Sequence, residues 1–153
     1  MFKYKIVSPI FMWLIVSLGS GFCLFFFDWQ KLFQSNFINI AVFIITFIFW
    51  FYIFSSALKV HRQAIRSTEK IDKLITTGIY SKICHPIYVG DILLAWAVFI
   101  LFPYFNVLIG VIWLSFVLLV WMKIEERSLL DKFGQEYEAY RQRTRWFRLK
   151  KPI

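Results

Sequence analysis

Two polar clusters, far apart in the chain, hold the residue types that could do chemistry. The first combines a histidine with tyrosines, glycines and an acid, in the order Gly78, Tyr80, Cys84, His85, Pro86, Tyr88, Gly90 and Asp91. The second begins with paired glutamates and continues with aromatic residues, as Glu125, Glu126, Leu130, Phe133, Gly134, Glu136, Tyr137 and Tyr140. Carboxylates in an apolar setting are costly unless a partner lies beside them. The glutamate pair therefore predicts a partner at this place.

Several of these residues also have a purely structural interpretation. Proline is favoured in the first turn of a helix, so His85 and Pro86 can simply mark a helix start. Tyr80 and Tyr88 can lie at a membrane interface, where tyrosine is common. Asp91 fits either a hydrogen bond between packed helices or a position lining a ligand cavity. The residue types alone leave these interpretations open.

The elements that must position the two clusters are apolar. Of the 153 residues, 59% are hydrophobic and 22% aromatic, and the mean hydropathy is +0.63. A bilayer core of about 30 Å takes about 20 apolar residues as a helix. Four runs approach this length, at residues 9–27, 37–58, 87–102 and 107–122. The sequence thus predicts an all-α polytopic membrane protein with four transmembrane helices, a cytoplasmic connecting segment and a C-terminal amphipathic helix.

The formal net charge of +9 reflects topology. Every lysine and arginine except Lys31 falls before the first span, between the second and third spans, or after the fourth. By the positive-inside rule, the N-terminus, the middle loop and the C-terminal tail are cytoplasmic. The basic excess then contacts anionic headgroups of membrane lipids, and no nucleic-acid partner is expected. Cys23 and Cys84 fall at different levels of this topology, so no disulfide is predicted.

The chain is expected to form a single membrane domain, residues 1–153, with four parts. These are two N-terminal spans in 1–58, a cytoplasmic loop in 59–86, a helical hairpin in 87–122 and a helix with a basic tail in 123–153. The short link from Pro103 to Asn106 makes the last two spans an antiparallel hairpin. His85 at the start of one span should therefore meet Glu125 at the end of the other.

Two further helices are predicted on the polar side. Ser67 or Thr68 can cap a short helix that carries Ile71, Leu74 and Ile75 and ends at Gly78. Residues 124–143 can continue the fourth span as a helix, because they hold no proline and one glycine. In this continuing helix, one face carries residues spaced three and four positions apart. We expect that face to lie on the membrane surface or to fold back over the bundle. The members of this face are Glu126, Leu130, Phe133, Tyr137 and Tyr140.

The two clusters together resemble the isoprenylcysteine carboxyl methyltransferase family and related membrane methyltransferases acting on phospholipid amines and small thiols. The resemblance rests on glycine-x-tyrosine, histidine-proline-x-tyrosine-x-glycine, an apolar hairpin, glutamate-glutamate, and phenylalanine-glycine-x-glutamate-tyrosine, in that order. It covers about Leu74 to Arg145. Two positions depart from the family pattern: Ile79 stands where proline is common, and Cys84 where arginine is common.

This resemblance implies an enzyme that uses S-adenosylmethionine without a Rossmann domain and releases S-adenosylhomocysteine. Its cofactor-binding residues would be Gly78, Tyr80, His85, Pro86, Tyr88, Gly90, Glu125 and Glu126. Carboxylates can accept hydrogen bonds from ribose hydroxyls or an ammonium group, and they favour the cationic sulfonium. Aromatic faces suit adenine and a cation, and an open glycine such as Gly90 lets a ligand approach the backbone. No metal site is predicted.

The catalytic candidates are Glu126, Arg143 and Arg145, with none assigned firmly. The two arginines could replace the charge lost at Cys84, although a solvated or headgroup-bound face is the favoured explanation for them. The resemblance implies an acceptor that is lipophilic or a small thiol. An isoprenylcysteine-type carboxylate is favoured, and a phospholipid amine, a small thiol and a free isoprenoid acid remain open. The sequence says nothing about the oligomeric state.

Two other functions compete with methyl transfer. Sterol reductases resemble the stretch from His85 to Trp96, including the step from Gly90 to Asp91, and would bind NADPH. That cofactor is rich in phosphate and needs cations, whereas the glutamate pair suits a cationic ligand. The other alternative is a non-enzymatic membrane scaffold in which the aromatic residues only pack and anchor.

Overall fold

A computed structural model describes residues 9–60 and 73–144 of the chain. This part is helical, apart from loops and an isolated bridge between Lys31 and Tyr104. The helices are α1 (Pro9–Phe26), α2 (Phe37–Val60), α3 (Pro86–Leu101), α4 (Phe105–Phe133) and α5 (Gln135–Arg143), with a 3-10 helix at Gly78–Ser81 before α3. The predicted all-helical class therefore holds for the part of the chain that is described.

Within the described ranges, three helices are long and apolar enough to cross a membrane, namely α1, α2 and α4. They coincide with three of the four predicted spans. The fourth, α3, is apolar but has only 16 residues, which gives a length of about 24 Å. The count of four transmembrane helices therefore stays a prediction.

The helices pack so that α3 lies between α2 and α4, and α1 covers another side of α4. A buried cluster joins α1 to α4 and holds Met12, Val16, Val117, Leu118 and Trp121. Tyr88 and Ile92 of α3 pack against this cluster. By contrast, only Ile53 and Ala57 of α2 are buried, and many of its phenylalanines and isoleucines are exposed. An apolar outer surface of this kind is what lipid tails solvate.

Backbone hydrogen bonds fix the turn between α3 and α4. The Leu32 amide donates to the Pro103 carbonyl at 2.8 Å, and the Phe105 amide donates to the Gln30 carbonyl at 2.9 Å. The side-chain amide of Asn39 donates to the Ile100 carbonyl at 2.9 Å. The loop after α1 and the start of α2 thus hold the end of the hairpin opposite His85.

The helix expected over residues 124–143 is broken once. α4 runs without interruption to Phe133, and α5 begins at Gln135. Between them Gly134 has φ +52° and ψ −124°, a conformation that side-chain-bearing residues rarely adopt. The chain therefore changes direction at Gly134, and α5 returns toward the start of α3. Whether α5 also contacts a membrane surface stays a prediction.

The prediction of a short helix before Gly78 is wrong for those of its residues that the structure describes. Leu74 and Ile75 lie outside any helix, and Gly78 starts a 3-10 helix instead of ending an α-helix. Leu74 is buried against Tyr137 and Tyr140 of α5, a contact that an extended segment makes as well as a helix. The proposed caps Ser67 and Thr68, together with Ile71, lie outside the described residues.

Candidate functional site

His85 is the residue that joins the two sequence clusters. It immediately precedes Pro86, the first residue of α3, and its side chain is only 8% exposed. Its Nδ1 lies 3.6 Å from Glu125 Oε2, and its Nε2 lies 3.6 Å from Glu126 Oε1. The meeting of His85 and Glu125 that the hairpin predicts is therefore present. Glu126 joins them because its side chain also faces the start of α3.

The two carboxylates set the charge of the histidine. Burial alone lowers the pKa of His85, but Glu125 and Glu126 outweigh it and raise the pKa to about 9. The imidazole is therefore protonated at neutral pH and bridges the acids as a cation. Neither separation is short enough for a strong hydrogen bond, so the contact is mainly electrostatic.

A second cation reaches the pair from α5. Arg141 Nη1 lies 3.6 Å from Glu126 Oε2, and the two side chains are 12% and 7% exposed. Sequence reasoning proposed Arg143 and Arg145 for this charge and missed Arg141. Arg143 is exposed, and Arg145 lies outside the described residues. The sequence spacing could have predicted the position of Arg141. It follows Tyr137 by four residues, so both side chains lie on the same, buried side of α5.

The tyrosines of the first cluster extend the site along α3. The Tyr88 hydroxyl donates to Glu125 Oε1 at 3.1 Å, and its ring stacks on His85 with centroids 6.0 Å apart. Burial, with a further contribution from the charge of Glu125, raises the pKa of Tyr80 to about 12. Tyr80 therefore stays neutral, and its phenol can act as a hydrogen-bond donor.

α5 is attached to the first cluster by two side-chain contacts. The Tyr140 hydroxyl donates to the Tyr80 carbonyl at 2.7 Å, and Cys84 Sγ lies 2.8 Å from Thr144 Oγ1. Burial raises the pKa of the Cys84 thiol, so the thiol stays protonated at neutral pH. Cys84, at the position where the sequence resemblance led to the expectation of an arginine, therefore contacts the residue that follows α5.

The remaining predicted cofactor residues occupy packing positions. Gly78 has φ +62°, and a Cβ there would meet Val60 at 2.6 Å. Gly90 is not open as expected, because a Cβ there would meet the Trp50 ring at 3.2 Å. Pro86 is buried at the first turn of α3. These residues set the backbone path around His85, and the role expected of Gly90 as an open approach has to be corrected to close packing of α2 on α3.

Several buried polar atoms of the site have no hydrogen-bond partner within the described part of the chain. They are His85 Nε2, Trp121 Nε1 and the Tyr137 hydroxyl. The Tyr137 side chain is only 1% exposed, and it lies close enough to Glu126 to feel its charge. Buried polar groups of this kind are normally satisfied, so they favour a polar ligand at this place.

The fold and the site together define an integral membrane protein with a buried cluster of two acids, a histidine and an arginine at one end of a helical hairpin. A family model described as phospholipid methyltransferase matches residues 34–136, well over half of the chain. The chain therefore belongs to this family of membrane methyltransferases, as the sequence resemblance predicted. Comparisons with curated proteins and with solved structures found no significant match.

Proposed function

We propose that this protein transfers a methyl group from S-adenosylmethionine to a lipophilic acceptor. The observation that carries the proposal is the buried contact of His85 with both glutamates in a chain that belongs to a methyltransferase family. The proposed acceptor is an isoprenylcysteine-type carboxylate or a related lipid or thiol. Membrane lipids and the acceptor itself are the proposed partners.

The residues present suit such a donor. Glu125 and Glu126 can accept hydrogen bonds from hydroxyl or ammonium groups, and their charge favours a cationic ligand. The unpartnered Tyr137 hydroxyl supplies a buried donor. When bound, S-adenosylmethionine supplies a methyl group made electrophilic by its sulfonium. The task of this chain is then to hold two reactants close and aligned, which can account for much of the acceleration.

The two glutamates are held in different ways, which suggests different tasks. Glu126 contacts both cations, His85 and Arg141, and is the more buried of the pair. Glu125 contacts His85 and accepts a hydrogen bond from Tyr88. Glu126 is therefore the residue whose charge is most completely balanced, and Glu125 has the greater capacity to attract an additional cation.

The charge distribution suggests how the two reactants enter. On the proposed topology, the end of the bundle that carries His85 faces the cytoplasm, from which a polar donor can diffuse. The outward-facing apolar surface of α2 and the half-buried side chains of α3 adjoin the lipid phase. A lipophilic acceptor can therefore reach the site sideways without leaving the bilayer.

The test is ligand binding by the detergent-solubilised protein. S-adenosylhomocysteine should raise the melting temperature and NADPH should not, because only a ligand that binds the folded state stabilises it. Glu126→Gln and His85→Ala should each weaken S-adenosylhomocysteine binding by about 10- to 100-fold, or about 1–3 kcal/mol, as expected for a lost buried charge-assisted contact.

Asp131→Asn is the matched control, because Asp131 is an exposed acid on the same helix, α4. Its affinity should equal that of the wild type. Stabilisation by NADPH instead would favour a reductase, and no response to either ligand would favour a scaffold. Unchanged affinity in both site variants would remove those two residues from the proposed site.

The acceptor class needs a separate experiment. Purified protein is incubated with membrane extract and donor labelled in the methyl group, and label is then followed into lipid, protein and volatile fractions. A lipid amine places label in the lipid fraction, a prenylated cysteine places base-labile label in protein or peptide, and a small thiol gives a volatile product. Absence of label in all three fractions would contradict the proposed activity.

A further inference from the structure

Four charged side chains meet where α3 begins and α5 returns to α4. Glu125 and Glu126 supply two negative charges to this group. His85, protonated at neutral pH, and Arg141 supply two positive charges. All four side chains are at least four-fifths buried, so little water screens their charges. The group therefore has no net charge before a ligand binds.

Asp91, the next acid along α3, lies outside this group. It follows His85 by six residues, which places it about 9 Å further along the helix axis. Its Oδ1 accepts a hydrogen bond of 2.7 Å from Trp50 Nε1 of α2, and the Trp50 ring stacks on Phe54. Asp91 therefore joins α2 to α3, which is one of the two interpretations that the sequence leaves open.

A cationic ligand changes the balance of the four charges. S-adenosylmethionine, the proposed donor, is a net cation at neutral pH, because its sulfonium and ammonium groups outnumber its carboxylate. S-adenosylhomocysteine lacks the sulfonium charge and is neutral overall. Binding of the donor would leave an excess positive charge in a buried place, which is costly. The excess disappears if His85 or Arg141 moves away or loses its charge.

His85 is poorly placed to give up its charge. Its ring lies between the two acids of α4, with Nδ1 toward Glu125 and Nε2 toward Glu126, and Tyr88 of α3 stacks on it. Its backbone is held at the start of α3, directly before Pro86. Loss of its proton would remove a positive charge from both acids at once. His85 is therefore the cation that stays.

Arg141 has a second acidic partner within reach. Glu138 lies three residues before it on α5 and is exposed, as are Gln142 and Arg143 after it. Side chains three residues apart on a helix lie next to each other, and a glutamate that precedes an arginine in this way stabilises the helix. The guanidinium can therefore exchange the buried Glu126 for the exposed Glu138 and keep an ionic partner.

We propose that Arg141 is a placeholder cation, which balances Glu126 until a cationic ligand enters the site and then moves to Glu138. This inference rests on the proposed methyl transfer and concerns how the same site distinguishes donor from product. A donor that enters beside Glu125 leaves His85 to balance Glu126, so Arg141 becomes the surplus charge. Once the sulfonium charge has been lost, Arg141 can return to Glu126.

The first arm of the test compares the affinities of donor and product. S-adenosylmethionine and S-adenosylhomocysteine are titrated by calorimetry into detergent-solubilised protein without an acceptor. Arg141→Gln should tighten donor binding about 10-fold or more and change product binding less than about 3-fold, because the removed charge repels only a net cation. A merely structural role of Arg141 would not move this ratio. Weaker donor binding by Arg141→Gln would mean that Arg141 contacts the donor, and would overturn the proposal.

Two variants serve as controls for the ratio. Arg141→Lys keeps the charge and should keep the wild-type ratio of donor to product affinity. Lys132→Gln removes an exposed cation from the last turn of α4 and should also leave the ratio unchanged. A raised ratio in either variant would contradict a specific effect of the Arg141 charge.

The second arm tests Glu138 as the alternative partner. Glu138→Lys should weaken donor binding about 3-fold or more in the wild-type background, because it repels the arriving guanidinium. In the Arg141→Gln background the same change should have a smaller effect, and the difference measures the coupling of the two residues. Equal effects in both backgrounds would overturn the move to Glu138.

The third arm asks whether His85 keeps its proton. Binding heats measured in buffers of different ionisation enthalpy give the number of protons released with each ligand. Donor and product should release equal numbers, since His85 stays charged between Glu125, Glu126 and Tyr88. Release of about one additional proton with the donor would identify His85 as the group that loses its charge, and would overturn the role of Arg141.

The outcomes separate this inference from the proposed function. An Arg141→Gln variant with an unchanged ratio overturns the placeholder role while methyl transfer stands. Failure of the wild type to bind either nucleoside overturns the proposed function. Trimethylsulfonium iodide then decides the placeholder role: it should raise the melting temperature of Arg141→Gln more than that of the wild type, relative to sodium iodide, and equal responses would overturn it.

The proposal can also be tested if Arg141→Gln does not fold. Glu138→Lys changes an exposed side chain and leaves the buried group of four intact. Weaker donor binding with unchanged product binding would support the move of Arg141 to Glu138. Unchanged donor binding in this variant would overturn it.

Discussion

At the scale of residues, the protonation of His85 differs between the unfolded and the folded chain. The ordinary pKa of histidine is 6.5, and burial between two acids raises it to about 9. The folded state therefore binds a proton more tightly than the unfolded state. Stability that depends on this proton is fully present below pH 6.5 and is lost as the pH rises through about 9.

This difference gives a measurable pH dependence. The melting temperature of the wild-type protein should fall between pH 6.5 and pH 9, with a loss of at most roughly 3 kcal/mol in the free energy of unfolding. His85→Gln should have a flatter profile over the same range, because glutamine does not titrate. Differential scanning fluorimetry in a fixed detergent measures both. A wild-type profile as flat as that of the variant would show that His85 is not protonated between the acids.

The sequence predicts some residues of the site better than others. His85 and Glu125 can be paired in advance because a four-residue link between two apolar helices leaves little freedom in how the helices align. Arg141 cannot be placed in the same way, because its position depends on the turn at Gly134. The role of Gly90 could not be predicted either. A sequence does not show whether a ligand or a tryptophan ring packs against a glycine.

At the scale of elements, the site depends on the return of α5 toward α3. From α5 or the residue after it, Tyr140 and Thr144 reach the first cluster and Arg141 reaches Glu126 of the second. Each of these contacts requires the change of direction at Gly134. A continuous helix would carry the three side chains away from the start of α3.

Substitution of Gly134 tests this dependence. Gly134→Ala should lower the free energy of unfolding by about 1–3 kcal/mol, because alanine is strained at φ +52° although the surrounding space is open. S-adenosylhomocysteine affinity should fall with it. Gly21→Ala is the matched control, because Gly21 also has open space around it but lies within α1, where alanine is the better helix former. Equal melting temperatures for the two variants would contradict the argument.

The sequence predicts a helix boundary well where a change from polar to apolar residues marks it. α2 begins at Phe37 as predicted, because the polar residues Ser35 and Asn36 precede its apolar run. The extent of α4 is less visible, since its last eleven residues are polar on several sides and still helical. The short helix predicted before Gly78 failed because Leu74 finds its apolar contacts on α5, a distant segment that local periodicity does not reveal.

At the scale of the whole molecule, the distribution of basic residues predicts which side of the membrane holds the site. The structure places the start of α3 and the polar end of α4 together and the Lys31 loop near the opposite turn of the hairpin. The positive-inside rule then assigns the first group to the cytoplasm. This assignment concerns the orientation of the whole bundle and is independent of the ligand.

Cysteine labelling tests the orientation. In a background with Cys23→Ala and Cys84→Ser, single cysteines replace Lys82 and Ser35, both exposed and at opposite ends of the bundle. In intact cells, a membrane-impermeant maleimide should label the Ser35→Cys variant and spare the Lys82→Cys variant. Inverted vesicles should give the reverse pattern. Labelling of Lys82→Cys in intact cells would place the site on the outer face.

The shortness of α3 has a consequence for the surrounding membrane. On the predicted topology α3 crosses the membrane, and its length of about 24 Å is less than the roughly 30 Å of hydrocarbon, a difference that local thinning of the bilayer can accommodate. Headgroups of neighbouring lipids would then sink toward the level of Asp91. If the proposed methyl transfer to a lipophilic acceptor takes place here, the acyl-chain length of the host lipids helps to set how often the acceptor reaches the site, and thicker membranes should slow the transfer.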